Sequence, residues 1–361
     1  VRLPQRRLPD AWRMSGNATR TPTYAWGNWG VRVMVKTFRW WWGLLLAFSL
    51  LALSRVFLPL PFVNEVVIFS IYTMGCSFLL GRIGFISFGQ PAYLAVGAYG
   101  TAFYMFYFGA NPYIGILLGV LSGLIVSFIV GPLFVRLRSD YFALVNLALA
   151  VIIYYLMQKV LADITKGDNG LWFLTRMTST PVLDISTPSQ FFVFAVLVAL
   201  AVWAFYKYLD DSIYGACCLA TKINEDKLEF LGYSNFRVRL LAFIIANTTT
   251  ALAGALYAIY LGFVSPEITS PHRAPDPVVV TILGGTGTLY GPIVGAFAYT
   301  GMKDVISKLI GNWELFIGFL LGFIMLAGEK GIWGTLQPRL EKLFSGREVS
   351  TATGDGAEAR R

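Results

Sequence analysis

The chain has 361 residues, of which 56% are hydrophobic and 14% charged, with a mean hydropathy of +0.62. A soluble chain carries about 25% charged residues, so this composition excludes a water-soluble enzyme or binding module. The net charge of +9 would raise nucleic acid as a partner, but the cations are placed to orient a membrane protein instead.

The first 39 residues carry Arg2, Arg6, Arg7, Arg13, Arg20, Arg32, Lys36 and Arg39 against Asp10 alone. Residues 1–38 therefore read as a basic cytoplasmic arm, without the features of a signal peptide. Trp40, Trp41 and Trp42 follow, suited to the headgroup level. The arm precedes a membrane domain over 39–335, and a polar cytoplasmic tail, partly disordered by composition, closes the chain over 336–361.

Apolar segments run over 40–60, 62–81, 91–108, 112–135, 141–160, 189–208, 238–262, 278–300 and 313–331, each close to the length that spans a bilayer. With the N-terminus inside, Arg136 and Arg138 fall in a cytoplasmic loop. So do Lys207, Lys222, Lys227, Arg237 and Arg239 around the loop 209–237, while 161–188 and 263–277 face out. The positive-inside rule is met at each point. A single crossing by 278–300 would leave Lys330, Arg339, Lys342 and Arg347 outside. The segment is therefore expected to dip in and return, or to cross as two short pieces, giving about ten passes or part-passes and a cytoplasmic C-terminus.

Two sequence interruptions give such breaks a cause. The first contains Gly84 and Gly89 ahead of Gln90. The second contains Gly284, Gly285, Gly287, Gly291 and Pro292. Backbone freed at such breaks is tolerated at membrane depth only against protein or a wet path. Each break leads into a Gly-Ala pair, Gly97-Ala98 and Gly295-Ala296, as an internal repeat flanking a transport path would. Ordinary turns with small-residue packing fit the same residues.

In the loop 209–237, Asn224 is placed to cap a short helix over 224–232, with Glu225 and Asp226 in its positive first turn and Gly232 at its end. Leu228, Phe230 and Leu231 are expected to be its exposed apolar residues, ready to enter a groove on another protein or to lie against this chain's own spans.

The run Ala220 to Tyr233, with Arg239 to Phe243 and Ala251 to Tyr257, resembles the permease family for branched-chain amino acids in its LivM-like subfamily. The segments Ile86 to Gln90, Leu137 to Leu144, Lys166 to Leu171, 283–296 and Gly331 to Gly334 match in order, so the resemblance covers about residues 60–335. Pro91, where alanine is usual, and the charged stretch Asp226 to Glu229 depart from the pattern. The resemblance implies an all-α polytopic membrane protein of the type II ABC importer permease kind with an internal pseudo-repeat. It makes Asn224, Glu225, Asp226, Leu228, Phe230, Leu231 and Gly232 the coupling helix that seats on an ATPase. It also implies a second permease subunit, two ABC ATPases and a periplasmic binding protein as partners in an inner membrane. Branched-chain amino acids are the expected substrate, with urea, short amides and aromatic acids handled elsewhere in the family.

No Gly-x-x-x-x-Gly-Lys-Ser/Thr phosphate loop occurs in the sequence, so ATP and magnesium belong to partner subunits and no cofactor is expected here. Polar residues inside spans are candidates for a path, because unpaired polar groups are costly in lipid. Ser87, Gln90, Asn146 and Asn247 lead that set, with Gln158 and Thr248 to Thr250 behind, the threonines being expected to bond their own helix. Glu65 and Arg55 are expected to snorkel near the outer interface. Cys76, Cys217, Cys218 and His272 have no metal-ligand spacing, and His272 reads as a loop residue. A stand-alone secondary transporter or channel would share the hydropathy, but would be expected to embed more Asp, Glu or His for proton coupling. An intramembrane enzyme would need a nucleophile and base at depth, for which the sequence offers no set.

Overall fold

The computed structural model describes residues 59–109, 111–174, 187–309, 318–319 and 331–335. The arm 1–38, nearly all of the segment 40–60, most of 313–331 and the tail 336–361 lie outside the described residues.

Eleven helices are described, with two two-residue strands. Helix α1 is Leu60–Phe78 and continues as a π-helical turn, Leu79–Ile83. Helix α2 is Gln90–Phe103, again ending in a π turn, Tyr104–Phe108. Helices α3 (Pro112–Phe134) and α4 (Ser139–Tyr155, extended by Leu156–Val160) follow. After the short α5 (Ala162–Thr165) and strand β1 (Leu171–Trp172) come α6 (Pro188–Asp211), α7 (Ile213–Ile223), α8 (Glu225–Phe230) and α9 (Asn235–Leu261). Strand β2 (Phe263–Val264) and two 3-10 turns lead to α10 (Asp276–Gly284) and α11 (Gly291–Leu309). Five of these stretches are long and apolar enough to cross a membrane, namely Leu60–Ile83, Pro112–Phe134, Ser139–Val160, Pro188–Asp211 and Asn235–Leu261. The chain is a polytopic, all-helical membrane protein apart from its small β ladder.

Helices α1, α2, α3 and α9 make the centre. Helix α1 is buried on nearly every face, consistent with its apolar composition all round. Helix α3 instead buries one stripe, Gly115, Gly119, Gly123, Ser127 and Gly131, and turns Leu117, Phe128, Ile129 and Leu133 outward. Residues four apart share a helix face, and small ones let backbones meet. A Cβ on Gly119 would lie 2.5 Å from the Gly97 carbonyl oxygen of α2, and one on Gly123 would strike Ala251 of α9. The sequence reading had passed over this stripe.

The segment 278–300 is not one pass. Helix α10 descends to Gly284, and α11 returns antiparallel to it, with Val279, Val280, Leu283, Ala296 and Tyr299 packed between them. Lys303 of α11 pairs with Glu65 near the start of α1, at the same end from which α10 begins. The segment therefore turns back over 285–290, beside Gly81, and returns to the end where it began. Two loops at that end are joined by the antiparallel ladder Leu171↔Val264 and Trp172↔Phe263, which the sequence did not announce.

Candidate functional site

The α7–α8 end carries the expected short helix. Asn224 is extended (φ −163°, ψ 108°) and its Oδ1 accepts from the Lys227 amide at 3.1 Å. Gly232, at φ 84°, ends the helix, and its amide donates to the Glu229 carbonyl at 2.9 Å. Glu225 and Asp226 fill the first turn. The surface differs from expectation in one residue. Phe230 and Leu231 are 89% and 74% exposed, as is Ile223 at 76%, but Leu228 is 2% exposed. With Leu228 turned into the chain's own core, Ile223, Phe230 and Leu231 are the apolar side chains that project. Helix α7 ahead of it, with Ser212 capping Gly215 N at 3.3 Å, was not foreseen either. Burial, chiefly, pushes the Cys218 thiol of α7 up to about 12.

The hairpin is tied to the first break by two links and to the start of α9 by a third. Lys222 Nζ donates to the Gly81 carbonyl at 3.3 Å, and its stem lies over Gly84, whose φ of 83° ends the π turn. Glu225 pairs with Arg239, and the Arg239 guanidinium sits 4.9 Å over the Phe85 ring. Asn235 at the start of α9 donates to the Glu225 carbonyl at 3.0 Å and to Glu229 Oε1 at 3.2 Å. From the other side Ser139 Oγ donates to the Gly84 carbonyl at 3.2 Å.

The two breaks touch. A Cβ on Gly81 would lie 2.5 Å from Gly287 Cα, so only backbone fits between them. Around this contact Met74, Ser77, Tyr206, Leu289 and Pro292 line a small crevice closed by Arg82 and Asp210, whose Nη2–Oδ2 distance is 2.6 Å. Gly284, Gly285 and Gly291 form the tight return, since a Cβ on Gly284 would collide with the Gly291 carbonyl. The first break has another shape, an irregular stretch over 84–87 and a turn at Phe88–Gly89, before α2 starts at Gln90.

The four leading path candidates, Ser87, Gln90, Asn146 and Asn247, are fully buried. Gln90 Oε1 accepts from Thr250 at 2.5 Å, and Gly89 packs against Asn146, whose Nδ2 donates to its own helix at Phe142. Ser87 Oγ, Gln90 Nε2, Asn146 Oδ1 and both side-chain polar atoms of Asn247 have no partner among the described residues. A buried polar atom left so costs about 1–3 kcal/mol, and Asn64, Tyr93, Tyr99 and Trp203 each bury one in the same condition. Thr249 and Thr250 bond their own helix, as expected, whereas Thr248 Oγ1 does not. Gln158, in the π turn Leu156–Val160 that ends the span Ser139–Val160, donates to Asp168 at 2.7 Å.

A second crevice lies at the far end of α1. Glu65, Arg273 and Asp276 line it together with Ile68, Phe69 and Leu94. Glu65 is thus set in a wall and paired to Lys303 at 3.4 Å instead of snorkelling. His272 is a loop residue, 3.1 Å from Glu267. Among the described residues, no three His, Cys, Asp or Glu side chains are grouped so as to hold a metal ion.

Residues 58–327 match the family described as branched-chain amino acid transport system / permease component. The chain belongs to that family. It is 27% identical over 302 residues to the high-affinity branched-chain amino acid transport system permease protein LivM of Salmonella typhimurium strain LT2, covering 78% of this chain and 71% of the relative. The LivM protein of Escherichia coli strain K12 is 25% identical over 296 residues, 76% of this chain and 69% of the relative. The autoinducer 2 import system permease protein LsrC of Photorhabdus luminescens is 30% identical over 258 residues, 68% and 72% of the two chains. No solved structure matches. The permease match spans both helix breaks, the α7–α8 hairpin and all four buried path candidates.

Proposed function

We propose that this chain is a membrane subunit of an ATP-driven importer, pairing with a second permease, two ATPases and a periplasmic binding protein, and that its solute is a branched-chain amino acid. Nucleotide and magnesium belong to the ATPases. The α8 end faces the cytoplasm, in keeping with Arg136, Arg138, Lys222, Lys227, Arg237 and Arg239 gathered there, and residues 1–38 and 336–361 lie on the same side.

The observation that carries the reading is the run of contacts from α8 to the breaks. Phe230 and Leu231, with Asn224, Glu225, Asp226 and Gly232 shaping the helix that presents them, form the patch that seats on an ATPase. Movement of that patch is passed by Lys222 to the Gly81 carbonyl, and by Glu225 through Arg239 to Phe85. Gly81 bears on Gly287 without an intervening side chain, so the first break cannot shift without the second. The Arg82–Asp210 pair closes the crevice at that level, and Ser87, Gln90, Asn146 and Asn247 supply hydrogen-bonding groups deeper in. The LivM relatives support amino acids as the cargo, and the LsrC relatives support the mechanism with a different solute.

The test is uptake of radiolabelled L-leucine into vesicles containing the complete importer or this chain alone. Uptake that needs ATP and the ATPases is the expected result. Full-rate uptake by the chain alone, without nucleotide, would reduce it to a pore.

A further inference from the structure

The far-end crevice plays no part in coupling, yet it is the more chemically specific of the two spaces. It draws Glu65 from α1, Arg273 from the 3-10 turn Pro271–Arg273 and Asp276 from the first turn of α10 onto one concave surface. Neighbouring charges do not consume these groups. Arg273 Nε is 3.9 Å from Glu267 Oε1, too long for a hydrogen bond. Glu267 is instead nearer His272, at 3.1 Å. Glu65 shares a loose 3.4 Å contact with Lys303. Asp276 forms no ion pair within 4.0 Å among the described residues. The remainder of the wall is Ile68, Phe69 and Tyr72 from α1, Leu94 from α2, Tyr257 from α9 and Ile268, apolar but for the two phenols, of which that of Tyr257 lies against Arg273.

We propose that this crevice is a loading site for a zwitterionic α-amino acid, in which Arg273 takes the carboxylate, Asp276 and Glu65 take the ammonium, and Ile68, Phe69 and Leu94 receive the side chain. The site deepens the permease reading and rests on it for its direction, since a ligand bound here stands at the outer mouth. The guanidinium fork matches a carboxylate by two parallel hydrogen bonds. A ligand with both charges satisfies both sides of the wall at once. A ligand with one charge, or a sugar-like solute with none, leaves a partly buried ion desolvated without a partner. The apolar wall sets the preference for an aliphatic side chain, at a modest factor per methylene.

The deciding experiment is equilibrium binding to the full chain in lipid nanodiscs. The probes are L-leucine, 3-methylbutylamine, which lacks the carboxylate, and 4-methylpentanoate, which lacks the ammonium. L-leucine is expected to bind at least about tenfold tighter than either analogue, the size of one charge-assisted hydrogen bond. Arg273→Gln should bring L-leucine to the level of the amine while leaving the amine unchanged, Arg273→Lys should recover part of the difference, and Asp276→Asn should weaken L-leucine and the amine but not the acid. Equal binding of the three probes by the wild-type chain, or an unchanged leucine-to-amine ratio in Arg273→Gln, overturns the site. Should Arg273→Gln fail to fold, Leu94→Trp decides, because it fills the crevice and keeps every charge. Leucine binding lost in a folded Leu94→Trp chain supports the site, and binding retained overturns it. Nucleotide-independent uptake would strike the importer reading and leave these binding ratios standing, so the two failures are separable.

Discussion

Glu65 and Gly81 lie on the same stretch, Leu60–Ile83, 16 residues or roughly 24 Å apart at 1.5 Å per residue, and their surroundings are built on opposite principles. Near Gly81 the structure removes side chains, so that backbone meets backbone and charged groups are engaged with carbonyls or with each other. Near Glu65 it gathers side chains of both charges around a space and engages them loosely. A close-packed contact transmits displacement, because neither side can yield. Charges around a space select a ligand instead. One helix thus carries a mechanical end and a chemical end.

The contrast predicts that substitutions at the two ends differ in kind. The largest effect is expected from Gly81→Val, whose branched side chain would be driven into Gly287. Overpacking of this kind costs about 1–3 kcal/mol and here forces the two breaks apart. Thermal unfolding in detergent should show the loss, and uptake should be abolished. Gly287→Leu should also abolish uptake: space is available there, but a φ of 77° strains any side chain.

Next in size is Arg82→Ala, which leaves Asp210, 7% exposed at its side chain, without its partner. A loss of about 2–3 kcal/mol is expected, reduced in the double variant with Asp210→Ala. The matching change at the chemical end, Glu65→Gln, should stay under about 1 kcal/mol, because its pair with Lys303 is partly exposed. Equal losses at the two ends would erase the distinction.

The third prediction divides the docking helix. Phe230→Ala and Leu231→Ala should leave the melting temperature of the chain nearly unchanged and lower co-purification of the ATPase. Leu228→Asp should melt the hairpin first, since it places a charge where Leu228 is buried. The smallest effect concerns Cys218. With its thiol held near 12 by burial it stays protonated and unreactive at neutral pH, so a water-soluble maleimide should not label it at pH 7.5. Labelling would become appreciable only as the pH rises towards 12, or if α7 opens.

Much of this layout could be read in the residues before any coordinates. Block length revealed five spans, lysine and arginine placement grouped loops that the structure gathers at one end, and Asn224 with Gly232 marked the two ends of α8 within a residue or two. Those features are local, or follow one element's exchange with solvent. What could not be read depends on contacts between distant segments. The Gly81–Gly287 contact joins residues 206 positions apart, and nothing local says which glycine meets which. Lys222 and Arg239 read as topology signals, although each is also bonded to the first break region. Leu228 looked as exposed as Leu231 because a six-residue helix is too short for its period to reveal a face. Glu65, Arg273 and Asp276 come together because the start of α10 packs beside the start of α1, a contact between segments about 200 residues apart. The stripe Gly115 to Gly131 was the one missed signal lying in plain view, a small residue at every fourth position.

The most direct test of the mechanical end is the ratio of L-leucine taken up to ATP hydrolysed by the complete importer carrying Lys222→Met. That variant keeps the stem over Gly84 and removes only the donor to the Gly81 carbonyl. Hydrolysis close to wild type with uptake down about tenfold is the predicted result. An unchanged ratio would contradict the role of Lys222, because ATPase motion would then reach the breaks through Arg239 and Phe85 alone.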